Sequence, residues 1–359
     1  MWSVLCIILV VAVEYIFMTR IFVGNSTLKY KVTISLAMAS LCSCSIINLF
    51  QSLIINSCKL REILRIFSEI DQLFSSKVYR TLIYKNTRLF LTLQFATVIL
   101  VGIIIEVLII YVNQGYFRLP HILANLSLLM PTLVNCTAIL HFVNLVLQLR
   151  NKYKYLNSVL ESSALTPCNE TISDYCNTNY VTPIDTFRMK PSFNEQRGYR
   201  NYSRRQHFRN LRIIYSQLHE VALLMNYTYG FSLLCATVWV FCSLIPTANR
   251  IIEIKPTNIN GHILTASLWT TYYFSLIGFM ALSCSLAVNE CSRSPVIVQD
   301  IMLRGDIDSE VMKELKMMFT QFKVMKIEFS ACGMYRIDLS FLCDIISGTF
   351  SYVIVVMQL

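Results

Sequence analysis

Carboxylates set inside apolar stretches are the first residues of this sequence that could do chemistry, and Glu14, Glu106 and Asp344 each interrupt such a stretch. Paired at membrane depth, two of them would make the acid–base dyad of an intramembrane hydrolase. They lie on three different runs, so only a tertiary meeting could pair them. Other enzyme chemistry has less to stand on: HExxH, GxSxG, a glycine-rich phosphate loop and CxxC are all missing, and the chain has only ten glycines. His121, His141, His207, His219 and His262 lie far apart, and none makes a metal-ligand spacing with cysteine. An enzyme is therefore not expected, and neither a cofactor nor a metal.

Burying an ionisable group in lipid is costly, which makes Glu106, near the outer end of its run, the best-placed binding candidate. The outer halves of this run and its neighbours add Tyr111, His121, Asn125, Trp239, Trp269, Thr270, Tyr272 and Tyr273. Together they could line an outward-facing pocket, with aromatic faces for an organic ligand and a few polar groups to orient it. Taken singly, each fits an aromatic belt or an interhelical hydrogen bond as well. The cluster as a whole points to a site.

Positioning such a pocket falls to the apolar runs themselves. Hydrophobic residues make up 55% of the 359 and charged ones 14%, well below the roughly 25% of soluble domains. A helix needs about 20 apolar residues to cross the hydrocarbon core. Seven runs qualify: 3–22, 33–55, 89–112, 121–147, 227–248, 262–288 and 337–359. The first lacks the basic start and the small-residue cleavage site of a signal peptide, and it is read as a retained helix. The fold class expected is an all-α membrane protein with seven transmembrane helices.

Lys and Arg accumulate in cytoplasmic connections. The first, third and fifth loops hold five of them, and the second, fourth and sixth hold twenty-five. This bias sets the N-terminus in the cytosol and the C-terminus outside, the reverse of a G-protein-coupled receptor. The sequon Asn25-Ser26-Thr27 falls in the first outer loop and agrees. Eight of the 13 cysteines sit in apolar runs as small hydrophobes, and the other five fall in cytosolic loops where thiols are expected. The net charge of +10 is read as topogenic and as contact with anionic membrane lipid, with no nucleic-acid partner.

The organisation expected is four spans over 1–147, a cytosolic loop over 148–226, two spans over 227–288, a cytosolic amphipathic segment over 289–336 and the last span over 337–359. The fourth helix should extend into the cytosol over 151–160. Beyond it, Pro167, Pro183, Pro191, Gly198 and the cluster Arg200, Arg204, Arg205, Arg209 and Arg212 suggest a disordered or weakly ordered insert. In 289–336, Val311, Leu315, Met318, Phe322, Met325 and Phe329 are spaced 4, 3, 4, 3, 4, which makes one apolar stripe on a helix. The stripe must bury itself in the membrane interface or, as preferred here, in a cytosolic bundle joining subunits. Residues 59–85 could add a second, weaker amphipathic helix.

The last span ends Gly348-Thr349-Phe350-Ser351-Tyr352-Val353-Ile354-Val355-Val356-Met357-Gln358-Leu359. This resembles the C-terminal signature of insect gustatory receptors, Thr-Tyr, five apolar residues, then Gln-Phe. Tyr352 and Gln358 match in spacing, with Ser351 for Thr and Leu359 for Phe. The stretch Glu328 to Gly333, followed by Tyr335 to Leu342, looks like that family's approach to its last helix. The resemblance implies a ligand-gated, non-selective cation channel, a homo- or hetero-tetramer with other gustatory receptors, in the plasma membrane of gustatory neuron dendrites. Last helices would line one pore, with Tyr352, Gln358 and Leu359 at the outer gate, and the cytosolic extensions would form an anchor. The pocket candidates for a small organic tastant are then Glu106, Tyr111, Asn125, Trp239, Trp269, Tyr272 and Tyr273. Sugar-sensing members carry Glu after the signature Tyr, where this chain has Val353, so a receptor for bitter plant compounds is expected. Many members continue past both ends of this chain.

Three other readings compete. An odorant receptor of the same superfamily is near in sequence character. A G-protein-coupled receptor would need DRY and NPxxY, both missing here. A transporter should show an internal repeat or broken helices, for which Pro131 is the only hint.

Overall fold

Long apolar stretches free of consecutive helix breakers have one way to satisfy their backbone in lipid, and they take it. The computed structural model describes residues 28–54, 56–74, 96–105, 119–165, 193–252, 259–304 and 307–358, with 93, 94, 107, 108 and 111. In chain order the elements are α1 (Leu28–Ile54), α2 (Asn56–Leu73), α3 (Ala96–Ile105), α4 (Leu119–Leu165), α5 (Phe193–Ile252), α6 (Ile259–Leu303), α7 (Ser309–Val324), a two-stranded hairpin β1 (Ser330–Ala331) and β2 (Tyr335–Arg336), and α8 (Leu339–Gln358). The first span with Glu14, and also Glu106 and Leu359, lie outside the described residues.

α4, α5 and α6 have 47, 60 and 45 residues. At ~1.5 Å per residue each is roughly 65–90 Å long, more than twice the ~30 Å hydrocarbon core. The excess forms a helical block beyond the apolar spans. α5 is its axis, touching α1, α2, α4, α6, α7, β1 and α8. α6 also packs on α4, α7 and α8.

The described 193–212 segment departs from the expected insert. It is helical, and it is the first third of α5. Phe208, Leu211, Tyr215, Leu218, Ala222, Met225 and Tyr229 are all buried, and their 3, 4, 3, 4, 3, 4 spacing runs from the basic cluster into the membrane without a break. Arg205 and Arg209 occupy the exposed face. The helix forms because tertiary burial of that stripe outweighs the polar composition around it.

The stripe of α7 is buried as its spacing predicts at Val311, Leu315, Met318, Phe322 and Phe329, but against a different partner. It packs on α5 and α6 of its own chain, so it is spent inside the subunit and is not free to join subunits. The helix also ends at Val324, earlier than Phe329. Phe322 stacks on Tyr215 with centroids 3.7 Å apart, and Tyr215 Oη donates to the Met325 carbonyl at 3.0 Å. This bond holds the chain in the extended path that leads to the hairpin.

α2 realises the weaker amphipathic helix expected from 59–85, over 56–73. Ile63, Ile66, Phe67 and Ile70 are buried, and Asp71 forms a buried ion pair with Lys152 of α4. Burial pushes the Lys152 ammonium below its ordinary pKa, with the Asp71 carboxylate opposing that shift.

The hairpin pairs Ser330 with Arg336 and Ala331 with Tyr335. Its turn uses Cys332 (φ 51°) and Gly333 (φ 72°) in the left-handed region. Asn226 of α5 clasps it, donating from Nδ2 to the Glu328 carbonyl at 2.5 Å and accepting the Ser330 N–H at 3.3 Å. Gly230, one turn on, lets the hairpin backbone approach, because a Cβ there would stand 3.0 Å from the Cys332 nitrogen. Asp338 then starts α8, its Oδ1 accepting from the Phe341 N–H at 3.1 Å.

Candidate functional site

Four of the seven predicted ligand-site residues meet. Trp269 and Tyr273 are one helical turn apart on α6 and stack, with centroids 5.2 Å apart and planes 22° from parallel. Trp239 of α5 meets Tyr273 edge-on at 5.6 Å, and Tyr272 meets Trp269 edge-on at 5.5 Å. The Tyr272 hydroxyl and Cys136 Sγ of α4 lie 2.9 Å apart, which ties the cluster to a third helix. Trp239, Tyr272 and Tyr273 are buried and Trp269 is half-buried, so access to the cluster runs past Trp269.

The other candidates do not join in the same way. Tyr111 is 66% exposed. The side chains of Asn125 and His121 lie outside the described residues, as does all of Glu106. Thr270 donates its hydroxyl proton to the Ala266 carbonyl of its own helix at 2.9 Å, which leaves its oxygen as an acceptor only. At the other end of the chain, Tyr352 is half-buried, Ser351 is exposed, and Gln358 is the last helical residue of α8 with its side chain outside the described residues.

Two groups of polar residues were missed by sequence reasoning. Asn135, beside Cys136, accepts from Asn48 Nδ2 of α1 at 2.9 Å and donates to the Leu41 carbonyl at 3.2 Å, while Ser232 of α5 hydrogen-bonds to Asn48 Oδ1. Ser45 Oγ donates to the carbonyl of Pro131 at 2.9 Å. Deeper in, His141 Nδ1 and the Tyr229 hydroxyl are 2.6 Å apart. Asn48 and Asn135 within apolar runs were the available signal, since a buried amide must find a partner on a neighbouring helix.

An open cleft of about 520 Å³ lies elsewhere, on the helical block between α5 and α7, lined by Arg212, Lys316, Met317, Thr320, Gln321, Val324 and Met325. The aromatic cluster, by contrast, is packed ring against ring.

Residues 2–359 match the family model described as 7tm chemosensory receptor. The chain belongs to the insect chemosensory receptor family. It is 24% identical over 146 residues to "Gustatory receptor for sugar taste 43a" of Drosophila melanogaster, a stretch that covers 40% of this chain and 34% of that one. The insect olfactory receptor OR5 from Machilis hrabei shares its fold, with a TM-score of 0.71 at 11% identity over 99% of this chain and 88% of that one. The same receptor in complex with eugenol gives a TM-score of 0.66 at 11% identity over 98% and 88%. The fold is thus the seven-helix membrane fold expected, and this family consists of receptors, not enzymes.

Proposed function

We propose that this chemosensory receptor is a subunit of a tetrameric, ligand-gated, non-selective cation channel for a small aromatic or amphipathic tastant. The observation that carries the reading is the path from the aromatic cluster to the last helix. Trp239 is two residues from Phe241, whose ring lies 3.7 Å from where a Cβ on Gly348 of α8 would stand. Tyr273 is five residues from Gly278, where a Cβ would meet Leu342 of α8 at 3.8 Å. A ligand that separates the rings moves α5 and α6, and both helices bear directly on α8. Differential affinity for the two arrangements is what would bias the pore.

In this reading Gln358 and Leu359 close the outer mouth with Tyr352 behind them, and a ring of amide and apolar side chains gates by dewetting. Two tryptophans and two tyrosines suit a flat apolar ligand better than a polyol. With Val353 after Tyr352, they favour a bitter plant compound over the sugar in the Drosophila relative's name. The expected location is the plasma membrane of gustatory neuron dendrites, alone or with other gustatory receptors. Likeness over nearly the whole chain to an insect olfactory receptor supports a second reading, a receptor for volatile odorants.

Whole-cell recording in cells expressing the full chain tests this. A cation current evoked by bitter compounds without added G-protein is expected, with Trp269→Ala right-shifting the dose response about tenfold, as loss of an aromatic anchor should, and Gln358→Ala altering rectification. Current that requires a G-protein, or that ignores both substitutions, refutes it. A response confined to volatiles selects the second reading.

A further inference from the structure

The face that α8 turns away from its own subunit carries a carboxylate. Phe341 and Ile345 are buried and Tyr352 half-buried, and together they make the face that packs on the subunit. Ser340, Asp344, Ser347 and Ser351, spaced 4, 3, 4, are exposed on an adjoining face, about 100° round the helix from that row. None of the ion pairs among the described residues includes Asp344.

Two contacts set the depth of that carboxylate. Leu342 is level with Gly278 of α6, ten residues from the inner end of the sixth span, or about 15 Å at ~1.5 Å per residue. Gly348 is level with Phe241 of α5, about 21 Å from the inner end of the fifth span by the same rise, and Asp344 lies one turn inward of it. Both estimates set Asp344 near 15–18 Å, the middle of a core about 30 Å thick. An ionised side chain at that depth faces water or a protein partner, not lipid.

We propose that Asp344 faces the pore, and that the four copies form a carboxylate ring that binds the permeating cation and sets its preference for divalent over monovalent ions. The proposal rests on the channel reading above and adds to it a cation site inside the gate. Exposed Ser347 and Ser351, on the outward side, continue the same face as hydroxyl ligands for a partly dehydrated ion. Ile354 and Val355, both more than half exposed, follow as a drier stretch towards the mouth. Rings of carboxylates select cations by field strength, and hydrophobic constrictions gate.

The test is patch recording from cells expressing the full chain, comparing wild type, Asp344→Asn and Asp344→Glu under calcium and sodium gradients. A fall of at least about threefold in calcium-to-sodium permeability for Asp344→Asn, with Asp344→Glu close to wild type, is the expected result. Ligand-evoked current through Asp344→Asn with unchanged permeability overturns the proposal and leaves the channel reading standing. If Asp344→Asn reaches the surface but is silent, Ser347→Cys in a Cys343→Ser background decides. Block of its open channels by a cationic methanethiosulfonate supports the aqueous face, and resistance to the reagent overturns it. No evoked current from surface-delivered wild type sinks the channel reading, and this proposal with it.

Discussion

Arg212 and Glu314 give the most quantitative test of how the helical block around α5 and α7 is held. Arg212 Nε stands 2.9 Å from Glu314 Oε1, with the Glu314 side chain 3% exposed and that of Arg212 28%. Both atoms lack an aligned hydrogen bond, so charge attraction carries the pair. At an effective dielectric of ~20 the gross attraction at this distance is about 6 kcal/mol. Desolvation of both groups cancels most of it, so the pair is worth little net. Removing one partner is different, because Glu314 would be left charged and buried, at a cost of about 3–5 kcal/mol. Arg212→Ala should therefore lower the thermal midpoint of the detergent-purified protein by roughly 6–20 °C, taking about 2–4 °C per kcal/mol. Arg212→Met with Glu314→Met should recover most of that loss, since replacing a buried pair by apolar groups is often neutral or stabilising. Arg205→Ala breaks the exposed pair with Glu310 at 3.2 Å and should leave the midpoint unmoved. Fluorescence-detected size-exclusion after a temperature series reads all of these. If the double substitution is as unstable as Arg212→Ala, packing rather than an orphaned charge explains the loss, and the reasoning is refuted.

Three further outcomes follow from the same geometry. Gly230→Val pushes a branched side chain into the Cys332 backbone, a rigid neighbour, so the gain in helix propensity of under about 1 kcal/mol is outweighed and surface delivery should fall, whereas a solvent-facing Gly333→Asn should cost less than Gly333→Val, because asparagine enters the left-handed region that φ 72° demands more readily than a branched residue. Lys152→Met should strand the Asp71 carboxylate and lower the midpoint by several degrees, with Asp71→Asn in addition restoring part of it. Tyr272→Phe removes the hydroxyl beside Cys136 and keeps the ring, so ligand sensitivity should shift less than with Trp269→Ala in calcium imaging; an equal shift would mean that the hydroxyl, not the aromatic face, recognises the ligand.

The spans were legible because lipid imposes a simple rule, about 20 apolar residues per crossing, and 33–55, 121–147, 227–248, 262–288 and 337–359 all fall on long helices. The buried face of α7 was legible for a similar reason, since 3–4 spacing says which residues need cover. Spacing does not say what supplies the cover. Val311 to Phe322 found it on their own chain. The heptad from Phe208 to Tyr229 was present in the letters but its start is masked by the arginine cluster of 200–212, and only packing on α1, α4, α6 and α7 shows that it wins.

The aromatic site divides along the same line. Trp269 and Tyr273 are four apart, so one helix suffices to bring them together, and the sequence alone determined that they share a face. Trp239 and Cys136 reach them from two other helices, and the Cys332-Gly333 turn reaches α5 through Asn226 and Gly230. Which helix lies beside which is set by the summed packing of every face at once, a property no local window of residues contains. For that reason the membrane class and the stripes belong to the sequence, while the ring cluster, the hairpin clasp and the outward carboxylate of α8 belong to the tertiary structure.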